Sequence, residues 1–117
     1  MKEMKIMLVD DEERFLSTME KLMSRKGYDI VTAASGWEAL EKLKSHNIHV
    51  VILDVKMPGM DGNSTLKEIK KQFPLVEAMI LARRESIDSA VDGLNSGAID
   101  YVMKPCDMDE LLKKAED

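Results

Sequence analysis

Apolar residues cluster in five short runs, spaced at intervals of about twenty residues, and a stretch with helical spacing follows each run. Short apolar runs that contain β-branched residues are typical of strands. The five predicted strands, β1 to β5, lie at residues 6–9, 28–33, 49–53, 76–81 and 99–103. Strict alternation of strands with helices predicts an α/β sandwich, in which helices cover a doubly wound parallel sheet.

The helices are predicted from apolar spacing and from residues that start or stop helices. In the first, apolar residues recur at i, i+1, i+4, i+7 and i+8, which places them on one face. The sequence Ser35-Gly36-Trp37-Glu38 matches a capping box for the second. The predicted limits are α1 up to Gly27, α2 from Ser35, α3 from Asn63 or Ser64 to before Pro74, α4 from Ser86 to Gly97, and α5 from Asp107.

The third strand is organised differently from the others, because residues 50–53 are apolar without alternation. Such a run is typical of a strand that is buried on both faces. The strand ends at Asp54, and the Pro58-Gly59 pair then predicts a loop. Since open α/β sheets bind ligands at the carboxyl ends of their strands, Asp54 is expected at the mouth of a site.

Composition narrows the class of protein. A chain of 117 residues is most simply one domain, and a net charge of −5 disfavours direct binding to nucleic acid. No apolar run approaches the ~20 residues that a membrane helix needs, and the first residues lack the apolar core of a signal peptide. The single cysteine, Cys106, fits a reducing compartment. We therefore expect a cytoplasmic protein that binds neither membrane nor nucleic acid directly.

Acidic residues follow two of the predicted strands. Asp10 and Asp11 come directly after β1, and Asp54 ends β3. Adjacent strands lie about 4.8 Å apart, so these carboxylates converge if β1 and β3 are neighbours. Three carboxylates in one pocket repel one another unless a cation lies among them, and Mg²⁺ or Mn²⁺ is the natural occupant. Lys104 follows β5 at the same edge of the sheet.

An aspartate beside Mg²⁺ and a lysine can act as a nucleophile toward a phosphoryl group and form an aspartyl phosphate. The metal ion and the ammonium group would neutralise the oxygens of the transferring group. An acid pair in a loop is usually only solvated, and a Lys-Pro pair is usually only a turn. Here the acid pair, the Lys-Pro pair and a strand-end aspartate occur together, and each follows the strand that phosphoryl transfer requires. This combination favours the phosphoryl-transfer hypothesis.

Three motifs carry a resemblance to a known family: LVDDE at residues 8–12, LDVKMPGMDG at 53–62 and GAIDYVMKP at 97–105. On these motifs the chain resembles the receiver domains of two-component response regulators, over essentially its whole length. The resemblance implies a flavodoxin-like (βα)5 sandwich with strand order 2-1-3-4-5. It also implies that residues 1–117 form a single receiver domain, either free-standing or cut from a longer response regulator or hybrid kinase.

The resemblance also assigns roles to residues. Asp54 would be the phosphoacceptor. Mg²⁺ would be held by Asp11, by Asp10 partly through water, by Asp54 and by the backbone carbonyl of Lys56. Lys104 would pair with Asp54 and then with the phosphoryl group.

Two further residues are assigned by the same resemblance. The Lys104–Pro105 bond would be cis, as X-Pro bonds can be. Tyr101 would be the switching aromatic residue. The phosphoryl donor would be a phosphohistidine of a sensor histidine kinase or phosphotransfer protein. The signal would leave through the α4–β5–α5 face to an output domain, a downstream protein or a homodimer partner.

The sequence departs from the family at the end of β4, where Ala82 stands in place of a serine or threonine. That hydroxyl normally donates a hydrogen bond to the phosphoryl group, and such a bond to a charged group contributes about 1.5–3 kcal/mol. The departure predicts a receiver that still binds Mg²⁺ and accepts phosphate but switches its α4–β5–α5 face weakly.

Three alternative functions compete with this interpretation. A flavodoxin-like cofactor domain would need a phosphate-binding loop after β1, where the chain is acidic instead. An aspartyl-phosphate hydrolase would have a second aspartate two residues after the nucleophile, where Lys56 stands. A pseudo-receiver that only binds other proteins remains open because of Ala82. We expect a signalling phosphoacceptor that assists its own phosphorylation and dephosphorylation, not a metabolic enzyme.

Overall fold

The computed structural model describes residues 4–54, 62–82, 97–98 and 100–103. Within these ranges the chain forms five strands and three helices. In chain order they are β1 (Lys5–Val9), α1 (Glu13–Arg25), β2 (Asp29–Ala33), α2 (Gly36–Ser45), β3 (Val50–Asp54), α3 (Gly62–Gln72), β4 (Glu77–Ala82) and β5 (Asp100–Met103). The predicted helices α4 and α5 lie outside the described residues.

The strands form one parallel sheet in the order β2-β1-β3-β4-β5, which confirms the predicted order. In its register, Val9 of β1 lies beside Leu53 of β3. On the other side of β3, Leu53 lies beside Ile80 of β4. The strand that ends in Asp54 is therefore central, and β1 is its immediate neighbour.

The core consists of two apolar layers, one on each face of the sheet. Successive side chains of a strand point to opposite faces, so each inner strand contributes to both layers. The layer under α1 contains Ile6, Leu8, Leu16, Met19, Met23, Val50, Ile52, Met79 and Leu81. The opposite layer includes Met7, Val9, Val51 and Leu53 together with residues of α2 and α3. The predicted burial of β3 on both faces is confirmed, because all five of its residues are buried.

Helix α1 ends as its sequence predicts. Gly27 has φ 91°, in the left-handed region that glycine adopts at little cost. This conformation lets the Gly27 amide donate to the Ser24 carbonyl and the Tyr28 amide donate to the Met23 carbonyl. The chain thereby reverses within three residues and enters the edge strand β2. Within the described ranges, every helix is too short or too polar to cross a lipid bilayer.

Candidate functional site

Asp10 and Asp54 lie at the carboxyl edge of the sheet, each at the end of a strand. The pairing of Val9 with Leu53 puts the next residues, Asp10 and Asp54, at the same level on neighbouring strands. Because strand side chains alternate, both aspartates also continue the α1 side of the sheet, after Leu8 and Ile52. Register and alternation together bring these two carboxylates to one place, as the sequence predicts.

Both aspartate side chains are completely buried, with relative exposures of 0%. Burying a carboxylate is costly unless hydrogen bonds or cations compensate its charge. One oxygen of Asp10, Oδ1, accepts a hydrogen bond from the Glu12 amide at 2.9 Å. Oδ2 of Asp10 and Oδ2 of Asp54 accept no hydrogen bond from the described residues, although each residue makes further interactions. These two oxygens are suitable ligand atoms for a cation.

Glu12 supplies the third carboxylate of the cluster. One oxygen from each of Asp10, Glu12 and Asp54 can be chosen so that all lie within 4.8 Å of one another. Opposite ligands of an octahedral Mg²⁺ lie about 4.2 Å apart, so the cluster has the scale of such a site. A set of carboxylate oxygens is also the donor chemistry that a hard divalent cation prefers. The residues present therefore fit a divalent metal ion.

Glu12 was not among the predicted ligands, although it is the acid directly after the Asp10-Asp11 pair. The signal that could have identified it is its position just before the first turn of α1. There its backbone amide reaches back to Asp10, while its exposed side chain stays close to the same pocket. An acid two residues after a strand-end aspartate can join that aspartate when a helix begins at this point.

Asp11 is exposed and does not belong to this group of three carboxylates. It follows β1 by two residues, in the turn where the alternation that aligns Asp10 with Asp54 no longer holds. Its predicted role as a metal ligand stays a prediction. Lys56, Lys104 and Pro105 lie outside the described residues, so their predicted roles also stay predictions.

Ala82 and Tyr101 are placed by their backbones. Ala82 is the last residue of β4, and Asp54 lies beside Leu81, the residue before it. Ala82 is thus one register position beyond the partner of Asp54, at the carboxyl edge of the sheet. Tyr101 lies beside Ile80, on the strand at the end of the sheet.

The backbone of Asp10 is hydrogen-bonded to the edge strand β2. Its amide donates to the carbonyl of Ala33, the last residue of β2, at 3.1 Å. Asp10 is therefore held by β2 through its amide and by the start of α1 through its carboxylate. Such bonds restrict where the carboxylate can lie.

A groove lies between α2 and α3. It has a volume of about 610 Å³ and is lined by Trp37, Leu40, Glu41, Lys44, Glu68 and Gln72. Trp37 is 64% exposed there. None of the three clustered carboxylates lines this groove, so it is distinct from the carboxyl edge of the sheet.

Comparison with known proteins agrees with this geometry. The family model of the response regulator receiver domain matches residues 6–116. The transcriptional regulatory protein ZraR of Klebsiella oxytoca is 40% identical over 106 residues, which cover 91% of this chain and 24% of that protein. The DNA-binding transcriptional regulator NtrC of Escherichia coli K12 is 35% identical over 95% of this chain and 24% of its own length.

Among solved structures, a response regulator receiver domain protein from Clostridium thermocellum superimposes with a TM-score of 0.90. It is 33% identical, and the match covers 97% of this chain and 91% of that one. The chain thus corresponds to a whole solved receiver domain, whereas it spans about a quarter of the length of the curated regulators that it matches. The chain belongs to the response regulator receiver domain family.

Proposed function

We propose that this chain is a phosphoacceptor in two-component signalling, in which Asp54 takes a phosphoryl group in a Mg²⁺-dependent reaction. The observation that carries the proposal is the convergence of Asp10, Glu12 and Asp54 at the carboxyl edge of the sheet. Asp54 is the only one of the three that ends the central strand β3. Family membership supports the same assignment.

In the proposed reaction, a carboxylate oxygen of Asp54 attacks the phosphorus of a phosphohistidine on a sensor histidine kinase or phosphotransfer protein. A P–O bond forms as the P–N bond breaks, and the imidazole nitrogen leaves with the electron pair. Attack by water on the aspartyl phosphate later returns free Asp54 and inorganic phosphate. The chain assists both steps, but its role is that of a signalling domain.

Asp10, Glu12 and Asp54 would hold the metal ion, with Asp11 and the carbonyl of Lys56 as further proposed ligands. When bound, Mg²⁺ neutralises charge on the phosphoryl oxygens as they approach the buried carboxylate. Lys104 is the proposed second positive charge, first beside Asp54 and then beside the phosphoryl group. The bond between Lys104 and Pro105 is proposed to be cis.

The proposed output is a change in the α4–β5–α5 face, on which Tyr101 is the proposed switching residue. That face would contact an output domain, a downstream protein or a second copy of the chain. We place the reaction in the cytoplasm, in a single receiver domain of residues 1–117 that stands alone or within a longer regulator. Direct contact with nucleic acid or membrane is not part of the proposal.

Ala82 is proposed to weaken the coupling between phosphate and the output face. It ends β4, one register position beyond the partner of Asp54, and a methyl group cannot donate a hydrogen bond. A phosphoryl group shifts a conformational equilibrium only if it interacts differently with the two states. Without a donor at this position, that difference is smaller. If phosphate failed to bind at all, the chain would be a pseudo-receiver that acts by protein contacts alone.

The test is labelling with acetyl phosphate, read by intact mass, on the parent chain and on Asp54→Asn. We expect one phosphoryl group on the parent in the presence of Mg²⁺, and none with EDTA or on Asp54→Asn. Lys44→Met, a charge change on the exposed part of α2, is the matched control and should be labelled like the parent. Failure to label the parent, with Mg²⁺ binding intact, would favour the pseudo-receiver.

A further inference from the structure

One edge of the sheet lies along β2, because β1 is its only neighbour among the described strands. Backbone groups of a strand point alternately to its two sides. The carbonyl of Ala33 faces β1, since it accepts the hydrogen bond of the Asp10 amide at 3.1 Å. The carbonyl of Thr32 and the amide of Ala34 therefore face the opposite side, where an edge strand has no partner strand.

Helix α2 provides side chains for both of these edge groups. The ammonium group of Lys42 donates to the Thr32 carbonyl at 2.6 Å. Glu38 Oε1 accepts from the Ala34 amide at 2.9 Å. The two side chains also form an ion pair, with 2.9 Å between Lys42 Nζ and Glu38 Oε2. One ion pair on α2 thus bonds the Thr32 carbonyl of β2 and the amide of Ala34, the residue directly after this strand.

The Glu38 bond reaches Asp10 through a single rigid group. The Ala34 amide and the Ala33 carbonyl belong to the same peptide unit, which is planar. Glu38 holds one end of this unit and the Asp10 amide holds the other. A carboxylate that accepts from a peptide N–H also polarises that peptide and strengthens its carbonyl as an acceptor. The orientation of this peptide unit therefore connects Glu38 to the backbone of Asp10.

We propose that Glu38 is a positioning residue for the acidic cluster, acting on Asp10 through the Ala33–Ala34 peptide unit, and that Lys42 assists by pairing with Glu38 and by bonding the preceding peptide unit at the Thr32 carbonyl. The proposal rests on the proposed function of that cluster as a Mg²⁺ site. Neither side chain belongs to the cluster of carboxylates itself. Their effect is on where the Asp10 carboxylate lies, and so on how tightly Mg²⁺ binds.

The charge state of Glu38 is consistent with its hydrogen bond to the Ala34 amide. Its hydrogen bond from the Ala34 amide, followed by the bond to Lys42, holds the pKa of the Glu38 carboxyl below its ordinary value. Glu38 is therefore ionised at neutral pH and keeps the charge that polarises the peptide unit.

The same helix contains a second ion pair that serves as a matched control. Lys44 and Glu41 lie 3.1 Å apart, with side chains 59% and 75% exposed. For comparison, the side chains of Lys42 and Glu38 are 35% and 42% exposed. Replacements in the two pairs change the charge of α2 equally, but only the Glu38–Lys42 pair bonds β2.

The experiment compares Glu38→Gln and Lys42→Met with Glu41→Gln and Lys44→Met in the complete chain. The first measurement is the ¹H–¹⁵N resonance of the Asp10 amide in the metal-free folded protein. The second is a Mg²⁺ titration, carried out at a temperature well below the thermal unfolding midpoint of each variant. We expect the Asp10 resonance to move and Mg²⁺ affinity to fall about tenfold only in the Glu38 and Lys42 variants, as loss of an outer-shell partner typically does.

Lys42→Arg keeps a cation within reach of the Thr32 carbonyl, so it should retain most of the Mg²⁺ affinity that Lys42→Met loses. A general loss of stability would not explain this difference between the two variants. The proposal is overturned if the parent binds Mg²⁺ and the Glu38 and Lys42 variants bind it equally well. It is also overturned if their Asp10 resonance moves no more than in the Glu41 and Lys44 variants. If the parent itself does not bind Mg²⁺, the proposed function fails, and the Asp10 resonance alone decides whether the pair positions Asp10.

Discussion

The starts of α1 and α2 solve the same local problem in different ways. At α2, Ser35 accepts a hydrogen bond from the Glu38 amide at 3.1 Å, as a capping box requires. At α1, the residue in the equivalent position is Glu12, and its side chain makes no capping hydrogen bond to the described helix. Glu12 lies instead with Asp10 and Asp54 in the acidic cluster.

The difference shows what each helix start contributes. An N-cap side chain stabilises a helix by about 1 kcal/mol, and α2 uses this interaction. Glu38 in its first turn and Lys42 one turn later also bond the end of β2. The start of α1 omits the side-chain cap and adds a carboxylate to the cluster. Its backbone amide still contributes, because the Glu12 N–H bonds Asp10. The start of α2 therefore contributes helix stability beside the candidate site, whereas the start of α1 contributes a carboxylate to the site itself.

The largest expected effect is that of Mg²⁺ itself, which should bind at the acidic cluster beside the start of α1. Mg²⁺ at one hundred times its dissociation constant should raise the free energy of unfolding by about 2.7 kcal/mol. Asp10→Asn should lose most of this increment, because it removes one buried carboxylate of the cluster. Urea unfolding with Mg²⁺ and with EDTA measures both values. An equal increment in the parent and in Asp10→Asn would contradict the assignment of Asp10 to the metal site.

An intermediate effect is expected when the two helix starts are changed. Glu12→Ser introduces a capping side chain and should stabilise the metal-free protein by about 0.5–1 kcal/mol. The same change should weaken Mg²⁺ binding, since it removes a carboxylate of the cluster. Chemical unfolding and a Mg²⁺ titration measure the two quantities on one sample.

Ser35→Ala is the matched replacement at α2. It should cost about 1 kcal/mol of stability and leave Mg²⁺ affinity close to that of the parent. Glu38 keeps its bonds to Ala34 and Lys42 in this variant. If Glu12→Ser left Mg²⁺ binding intact, or if Ser35→Ala weakened it as strongly, the two helix starts would not differ in their contribution to Mg²⁺ binding.

The smallest expected effect is a pH dependence from Glu38. Its bonds to the Ala34 amide and to Lys42 lower the pKa of Glu38 in the folded state. A lowered folded-state pKa stabilises the protein fully above the ordinary glutamate pKa, and this contribution disappears as the pH falls through the folded-state pKa. Because the pair is partly exposed, it should contribute no more than about 0.5 kcal/mol.

The measurement is the difference in free energy of unfolding between the parent and Glu38→Gln, followed from neutral to acidic pH. The difference should shrink as the pH drops, whereas Glu41→Gln at the exposed pair should show a smaller dependence. A difference that grows on acidification would reverse the sign and show that Glu38 is not stabilised in its charged form.

Much of the fold could be predicted because its signals are local. The apolar run of β3 is uninterrupted, so its burial on both faces follows from the residues themselves. The C-terminal end of α1 was marked by Gly27, and the start of α2 by the Ser35–Glu38 box. The strand order, implied by the family resemblance, is also the order observed.

The site was predicted less completely, because its composition depends on geometry over several residues. Asp10 and Asp54 were expected together, and they meet. Asp11, also a predicted ligand, is exposed in the turn after β1, and its role stays a prediction, whereas Glu12 joins the cluster without having been predicted. Counting acids after a strand does not show which of them face the pocket, since the turn changes the direction of each side chain.

The sequence by itself determined which segments are strands and helices and which acids follow the strands, because apolar period and capping residues act over a few positions. Only the tertiary structure decided which side chains meet. The register of Val9 with Leu53 aligns Asp10 with Asp54, and the start of α1 turns Glu12 toward them. Likewise, the packing of α2 beside the end of β2 brings Glu38 to the peptide unit that binds Asp10. These contacts join residues far apart in the chain, so no local pattern contains them.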